Sequence, residues 1–237
     1  MRQLNSMDLD FCVSRIPEAL RVLNENHPEK LFIAGGFVRS CITNEPINDI
    51  DVFVSSKEIA QDYAARLCTT NRHRLIHTDN AITVRGYAYP IQFIYRWVFD
   101  TVTECIASFD FTIACAAIWV QSESDSRLKW KSICDDDFYP DLAAKRLAYR
   151  SPVRNEDAGG SLLRVLKFYQ RGYRIPLPSL SAVISRLLQG VRRVDDLDED
   201  DLSQVLLGLL IEVDPNDVKS DITKSTEINL GEDHNHV

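Results

Sequence analysis

The spacing of apolar and polar positions predicts a first part of alternating strands and helices and a helical second part. Residues 31–33 form a short apolar run that ends at two glycines, and residues 49–54 alternate between acidic and apolar side chains. Alternation with a period of two predicts a strand. Apolar residues at helical spacing predict one helix over residues 8–26, interrupted near Pro17, and another beginning after Ser56. Further strands are predicted in the stretches RLIHT, AITVRGY, YPIQFIYRW and RLKWKSIC.

Two of the helical stretches carry apolar residues at helical spacing. In the first, the buried side is predicted to consist of Phe11, Ile16, Leu20 and Leu23. The second begins near Glu156, where leucines and Tyr169 repeat at helical spacing, with Arg164 and Lys167 on adjoining faces. These basic residues either contact phosphates or RNA or belong to a solvated helix face.

Asp49 and Asp51 are the first candidate functional residues. Side chains alternate along a strand, so the two carboxylates are expected on one face while Ile50 and Val52 point into the core. Two neighbouring carboxylates repel each other, and a divalent cation relieves that repulsion. Mg²⁺ is usually held by one or two carboxylates together with substrate phosphates, so the pattern indicates a magnesium site.

Gly35 and Gly36 add a second element to this site. Glycines let backbone N–H groups approach a phosphate closely, and the start of the helix that follows favours negative charge. Arg39 lies about one turn into that helix and could reach the same anion. A glycine pair or a lone D-x-D is weak evidence, but the order strand, Gly-Gly, helix, loop and strand is far more specific.

The segments AGGFVRS and INDIDVFV resemble the nucleotidyltransferase superfamily that includes DNA polymerase beta. Within it, they look most like the head and neck of class II tRNA nucleotidyltransferases and poly(A) polymerases. The resemblance implies an α+β fold in which a head with a central mixed β-sheet, flanked by helices, precedes a small helical neck. The expected domains are a catalytic head over 1–150, a neck-like domain over 151–212 and a flexible acidic tail over 213–237.

The resemblance also implies a chemistry. Asp49 and Asp51 would bind Mg²⁺, with Asp110 as a third catalytic and metal-binding acid, so that two ions act in transfer from ATP or CTP. Gly35, Gly36 and Arg39 would hold the phosphates of the nucleotide, with Arg164 and Lys167 as further candidates. The implied acceptor is the 3′ hydroxyl of a tRNA-like RNA, and pyrophosphate would leave.

Two motifs depart from the family pattern. Asp110-Phe111-Thr112-Ile113-Ala114 resembles the second half of an Arg-Arg-Asp-Phe-Thr-Ile-Asn-Ala motif, but Ser108-Phe109 replaces the arginine pair. A structural or capping role for Asp110 therefore stays open. In the neck, Ala158-Gly159-Gly160-Ser161 stands where an arginine that pairs with the base is expected, so base selection is altered or shifted.

Composition narrows the possible classes of protein. Hydrophobic residues make up 45% of the 237-residue chain and charged residues 26%, which is ordinary for a globular protein. No apolar run approaches the roughly 20 residues that cross a bilayer, and the N-terminus lacks the apolar core of a signal peptide. We therefore expect a cytoplasmic protein without membrane contact. The six cysteines are scattered without a C-x-x-C pair, which argues against zinc and favours reduced, mostly buried thiols.

The net charge of −8 is unevenly distributed. Residues 195–237 contain 13 acidic and 2 basic side chains, whereas residues 1–194 contain 22 acidic and 25 basic ones. The mildly basic first part permits contact with RNA without requiring it.

Three functions are consistent with these features. The first is a compact RNA nucleotidyltransferase. The second is an enzyme that transfers a nucleotide to a protein or a small molecule. The third is a nucleotide-binding module without catalysis, against which the intact D-x-D and Gly-Gly motifs argue.

Overall fold

The computed structural model describes residues 1–123, 127–150, 158–189 and 198–211, with side chains up to residue 207 in the last range. The chain divides into two compact units, one spanning Met1–Ala144 and the other beginning at Lys145. The predicted tail over 213–237 lies outside the described residues. None of the described helices combines the length and the apolar character needed to cross a membrane.

The first unit is built on a seven-stranded sheet in the order β3-β4-β5-β2-β1-β6-β7. Of its neighbouring strands, β2 and β5 are parallel and the other pairs are antiparallel. The sheet is therefore mixed, as predicted. The strands are β1 Phe32–Ala34, β2 Ile50–Phe53, β3 Arg74–His77, β4 Ala81–Arg85, β5 Ile91–Ile94, β6 Ala116–Ser122 and β7 Leu128–Cys134.

Helices accompany this sheet, which confirms the predicted mixed α/β class. Ser56 accepts a hydrogen bond from the backbone N–H of Ile59 and so caps the helix that follows β2. Pro17 separates the first two helices, as expected from the sequence. The helices of the first unit are α1 Ser6–Arg15, α2 Glu18–Asn26, α3 Gly36–Thr43, α4 Lys57–Leu67, α5 Val102–Ala107 and α6 Phe138–Ala143.

The two faces of the sheet carry different cores. On one face, Ile33, Val52, Phe93 and Ile118 are paired across the strands and fully buried. On the other, residues from the strands pack with the α5 segment in a cluster that includes Ala34, Phe53, Cys105, Ile106 and Ala117. The central strands of the sheet thus carry buried side chains on both faces.

One predicted core residue is exposed. Ile16, Leu20 and Leu23 are buried as predicted, but Phe11 is 43% exposed and the thiol of Cys12 takes the buried position. Because the chain breaks at Pro17, α1 and α2 do not share one apolar stripe. The guanidinium carbon of Arg15 lies 5.8 Å from the centre of the Phe11 ring.

The second unit contains α7 Ala158–Gln170, α8 Leu177–Gln189 and α9 Glu199–Ile211. α7 packs against both α8 and α9. Its buried positions include Ser161, Val165 and Phe168, whereas Leu166 and Tyr169 are 52% and 57% exposed. The predicted helix is therefore present, but some of the apolar residues that suggested it, including Leu166 and Tyr169, are exposed.

Candidate functional site

The glycine turn lies between β1 and α3. Gly35 has a φ of +79°, a conformation that glycine adopts freely and other residues rarely do, and Gly36 is the first residue of α3. The N–H of Gly35 donates to the carbonyl of Ala116 at 2.9 Å, which fixes the turn to β6. The predicted order of strand, glycine turn and helix is present, and anion binding at the start of α3 stays a prediction.

Arg39 lies over this helix start. A Cβ atom at Gly36 would lie 3.7 Å from Nη2 and 3.9 Å from Nη1 of Arg39. Nη2 donates to Oγ of Ser40 at 3.2 Å, and Nε lies 3.6 Å from Oε2 of Glu45. Because the Arg39 residue is only 6% exposed, these contacts hold its guanidinium beside the glycine turn.

Asp49 and Asp51 lie at the beginning of β2. Asp49 directly precedes the strand, and Asp51 pairs with Gln92 of β5. Ile50 and Val52 are fully buried while both aspartates are half-buried. This alternation is the one expected when the two carboxylates share the strand face opposite to Ile50 and Val52.

The strand register brings the glycine turn and the two aspartates together at the same end of the neighbouring strands β1 and β2. β1 and β2 are antiparallel, with Phe32 opposite Phe53 and Ile33 opposite Val52. The end of β1, where the glycine turn begins, therefore lies beside the start of β2, where the aspartates lie. The glycine turn and the two aspartates, which are separated in the sequence, thus become neighbours.

Asp110 lies on the other side of β1. It follows α5 and precedes a single 3₁₀ turn, Thr112–Ala114, that leads into β6. The residue is 6% exposed, and the hydroxyl of the neighbouring Thr112 donates to the buried carboxylate of Asp141. Asp110 is therefore a largely buried acid in the segment that leads into β6, the strand paired with β1, which is compatible with either predicted role.

Phe109 is a feature of the site that sequence reasoning missed. Two of its ring carbons lie 3.4 Å from where a Cβ atom of Gly35 would be, so the ring packs on the glycine turn. Its centre lies 5.9 Å from that of Phe53 in an edge-to-face arrangement. One sequence feature could have indicated this contact. Ser108-Phe109 stands where the motif described in the sequence analysis has an arginine pair, so an apolar ring lies beside the turn.

The described side chains could supply only part of the ligands of a magnesium ion. Among the ranges that the structure covers, no three His, Cys, Asp or Glu side chains form a group that could hold a metal ion. Two half-buried carboxylates beside the glycine turn offer hard oxygen atoms of the kind that Mg²⁺ prefers, and nucleotide phosphates could supply its other ligands. The donor set therefore fits a cation that arrives with a triphosphate.

Two predicted site residues belong to the second unit. Arg164 is half-buried and Lys167 is exposed, and both lie on α7. The remaining predicted residues, Gly35, Gly36, Arg39, Asp49, Asp51 and Asp110, all belong to the first unit.

A pocket in the first unit lies away from this site. It has a volume of about 200 Å³ and is lined in part by Phe32, Phe53, Ser55 and Phe99. These residues mark the start of β1 and the end of β2, whereas the glycine turn and the aspartates lie at the opposite ends of the same strands. The pocket is therefore separate from the carboxylates and the turn.

Comparison with known proteins identifies the family. The family model described as "Gabija anti-defense 2 family protein" matches residues 7–145, which is more than half of the chain. The chain belongs to this family. A relative named Gabija anti-defense 2, from Bacillus phage SPbetaL7, is 25% identical over 167 residues. The match covers 70% of this chain and 39% of the relative, so the chain spans about two fifths of that protein's length.

Solved CCA-adding enzymes share the fold of this Gabija anti-defense 2 family member. The Thermotoga maritima enzyme complexed with tRNA has a TM-score of 0.55 at 19% identity and is matched over 94% of this chain and 56% of its own. CCA-adding enzymes complexed with CTP and with ATP also have TM-scores of 0.55, at 19% and 18% identity. These matches cover 89% and 86% of this chain and 51% of each enzyme. The predicted fold is confirmed, whereas membership of the nucleotidyltransferase superfamily and closeness to tRNA enzymes stay predictions.

Proposed function

We propose that this Gabija anti-defense 2 family member is a magnesium-dependent nucleotidyltransferase. It would move a nucleoside monophosphate from a nucleoside triphosphate to an acceptor hydroxyl and release pyrophosphate. The observation that carries the proposal is that the glycine turn and the Asp49–Asp51 pair lie side by side at the same end of β1 and β2. The shared fold with CCA-adding enzymes that were solved with CTP and ATP supports it.

Each residue has a role in this proposal. The turn at Gly35 and Gly36 and the guanidinium of Arg39 bind the triphosphate and orient it. Asp49 and Asp51, with Asp110 as the third acid, would hold Mg²⁺, which neutralises the charge that develops on the phosphate oxygens. Arg164 and Lys167 of α7 are proposed to contact phosphates of the nucleotide or of the acceptor.

An RNA 3′ hydroxyl is the first candidate acceptor. The second unit exposes Lys145, Arg146 and Arg174 together with Tyr169. The guanidinium carbon of Arg174 lies 4.7 Å from the centre of the Tyr169 ring, and 57% of the Tyr169 residue is exposed. Exposed cations beside an exposed ring suit phosphates and unstacked bases, which supports a nucleic-acid acceptor.

A component of a Gabija defence system is the second candidate acceptor. Family membership favours it, because the family is described by its opposition to Gabija. Nucleotidylation of a protein hydroxyl would use the same turn and the same acids, since only the attacking group differs. The two candidates therefore make the same prediction about the head and different predictions about the acceptor.

The test supplies each α-labelled nucleoside triphosphate with Mg²⁺ and either total RNA or purified Gabija proteins. We expect label to become covalently attached to one acceptor class, with pyrophosphate released in equal amount. The double variant Asp49→Asn/Asp51→Asn is the matched inactive control. Label that reaches neither acceptor, with tight nucleotide binding retained, would instead indicate a binding module without catalysis.

A further inference from the structure

The outer edge of β3 has no neighbouring strand among the described residues. β3, Arg74–His77, is the last strand on its side of the sheet and is paired only with β4 in the described part of the chain. All four of its residues are exposed, and the apolar Leu75 and Ile76 are 36% and 37% exposed. A sheet edge of this kind is a surface with which another extended chain can pair.

Two residues of β3 direct their backbone groups away from β4. The N–H of Thr78 donates to the carbonyl of Ala81 at 3.0 Å, and hydrogen-bonded pairs recur at every second residue of an antiparallel ladder. His77 and Leu75, one and three positions before Thr78, therefore point their N–H and C=O groups outwards. The described residues provide no hydrogen-bonding partner for these four groups.

The exposed charges beside this edge are positive. Arg74 of β3 lies directly opposite Arg85 of β4, and like charges in that position destabilise a strand pair. Neither arginine forms an ion pair with an acid among the described residues. Arg72, which is also exposed, precedes the strand, and the nearest acid in the sequence, Asp79, lies in the turn at the other end of β3. An acidic segment laid along this edge would therefore neutralise an uncompensated positive charge.

The two faces of β3 specify which segment fits. Arg74 and Ile76 lie on one face of the strand, and Leu75 and His77 lie on the other. A strand added alongside would match with an acidic residue opposite Arg74 and apolar residues opposite Leu75 and Ile76. A nucleic-acid strand could neutralise the arginines, but it has no ladder of N–H and C=O groups to pair with Leu75 and His77. A second copy of β3 would add positive charge to an edge that is already positive.

We propose that the outer edge of β3 docks an extended segment of a partner protein as an added strand, with acidic residues flanking two apolar ones. Backbone hydrogen bonds to Leu75 and His77 hold the segment, and Arg74 and Arg85 select its charge. The inference does not rest on nucleotidyl transfer, because docking is measured without any catalytic step.

The test combines the full-length protein with a fluorescent peptide whose core is Glu-Val-Val-Glu, an order that is the same in parallel and antiparallel pairing. Anisotropy should show saturable binding, and a Lys-Val-Val-Lys peptide of equal length should bind about ten-fold more weakly or worse. Hydrogen exchange of the Leu75 and His77 amides should slow on binding, while the Ile76 amide, which is bonded to β4, should change little. An acidic peptide that fails to bind, or that binds without protecting these two amides, would overturn the proposal.

Variants separate the charge from the backbone contacts. Arg74→Glu/Arg85→Glu should reverse the preference, so that Lys-Val-Val-Lys binds more tightly than Glu-Val-Val-Glu. Lys30→Glu/Lys129→Glu makes the same change in net charge at two exposed lysines outside β3 and β4 and should leave the preference unchanged. Leu75→Pro removes an outward N–H and no bond to β4, so it should weaken peptide binding in a protein that still folds. If it unfolds the protein, the charge reversal decides alone.

The same variants identify other occupants of the edge. A labelled oligonucleotide that binds where the acidic peptide does not, and is lost in Arg74→Glu/Arg85→Glu but not in Leu75→Pro, would replace the proposal with a phosphate-binding surface. A concentration-dependent dimer that sedimentation detects in the wild type and not in Leu75→Pro would assign the edge to a second copy. Either result would overturn docking of a partner segment.

Discussion

Gly35 combines two constraints in a single residue. Its φ of +79° lies in a region that disfavours side chains, and the Phe109 ring occupies the space beside it at 3.4 Å. Gly36, next in the sequence, has neither constraint, because its φ is not positive and a Cβ atom there would meet only Arg39 at an ordinary distance. The two glycines of one motif are therefore expected to behave differently when substituted.

We expect Gly35→Ala to lower the free energy of unfolding by about 1–3 kcal/mol, the usual cost of holding a non-glycine residue in such a conformation. Gly36→Ala should change it by less than about 1 kcal/mol, because alanine suits the first turn of a helix. Chemical denaturation of both variants measures the difference. Equal losses at the two positions would contradict the importance of the backbone conformation at Gly35.

The two aspartates are expected to matter for activity and not for folding. Both are half-buried at the start of β2, and the core side of that strand is supplied by Ile50 and Val52. We predict that Asp49→Asn or Asp51→Asn lowers nucleotide incorporation by about 100-fold or more, the scale of losing one group that stabilises developing charge. Single-turnover incorporation with labelled nucleotide measures this effect.

Asp62→Asn is the matched control for those variants. Asp62 is an exposed acid of α4 that pairs with Arg66 at 2.9 Å, far along the chain from the glycine turn. The Asp62→Asn substitution should leave nucleotide incorporation unchanged. Asp49→Asn, Asp51→Asn and Asp62→Asn should all melt within a few degrees of the wild type. Full activity in both β2 variants would remove the carboxylates from the mechanism.

At the scale of elements, the sequence predicted most of the first unit because its strands obey simple alternation. β2, the Ser56 cap of α4 and the strand β7 all follow from local patterns. Phe11 was misplaced because one apolar side was assigned to residues on both sides of Pro17, whereas the helical phase starts again after that proline. The contact of Phe109 with Gly35 could not be predicted, since it joins segments separated by more than 70 residues in the sequence.

The cap of α4 provides a test of one such local pattern. Oγ of Ser56 accepts from the N–H of Ile59 at 3.2 Å, and α4 buries Ala60, Tyr63, Ala64 and Leu67. We expect Ser56→Ala to lower the free energy of unfolding by about 0.5–2 kcal/mol, because a helix N–H loses its partner. Ser55→Ala, at the exposed neighbouring position, should have a much smaller effect in the same denaturation experiment.

At the scale of the whole molecule, the negative charge of residues 195–237 disfavours RNA as the acceptor. Residues 195–237 contain 13 acidic and 2 basic side chains, and the preceding residues are mildly basic. RNA binding depends on neutralising phosphates, so an acidic segment in the same chain should compete with RNA for the basic residues. A protein acceptor would not impose the same dependence on the charge of this segment.

Removal of residues 213–237, which carry 6 of those 13 acidic side chains and both basic ones, distinguishes the acceptors. If RNA is bound, the shortened protein should bind a labelled oligonucleotide more tightly at low salt, and the gain should disappear at about 1 M salt, where charges are screened within about 3 Å. Fluorescence anisotropy across a salt series measures both quantities. Replacing the acids of this segment by Asn and Gln, at unchanged length, separates charge from excluded volume. Affinity that is weak in every variant and insensitive to salt would count against an RNA acceptor and leave a Gabija component as the stronger candidate.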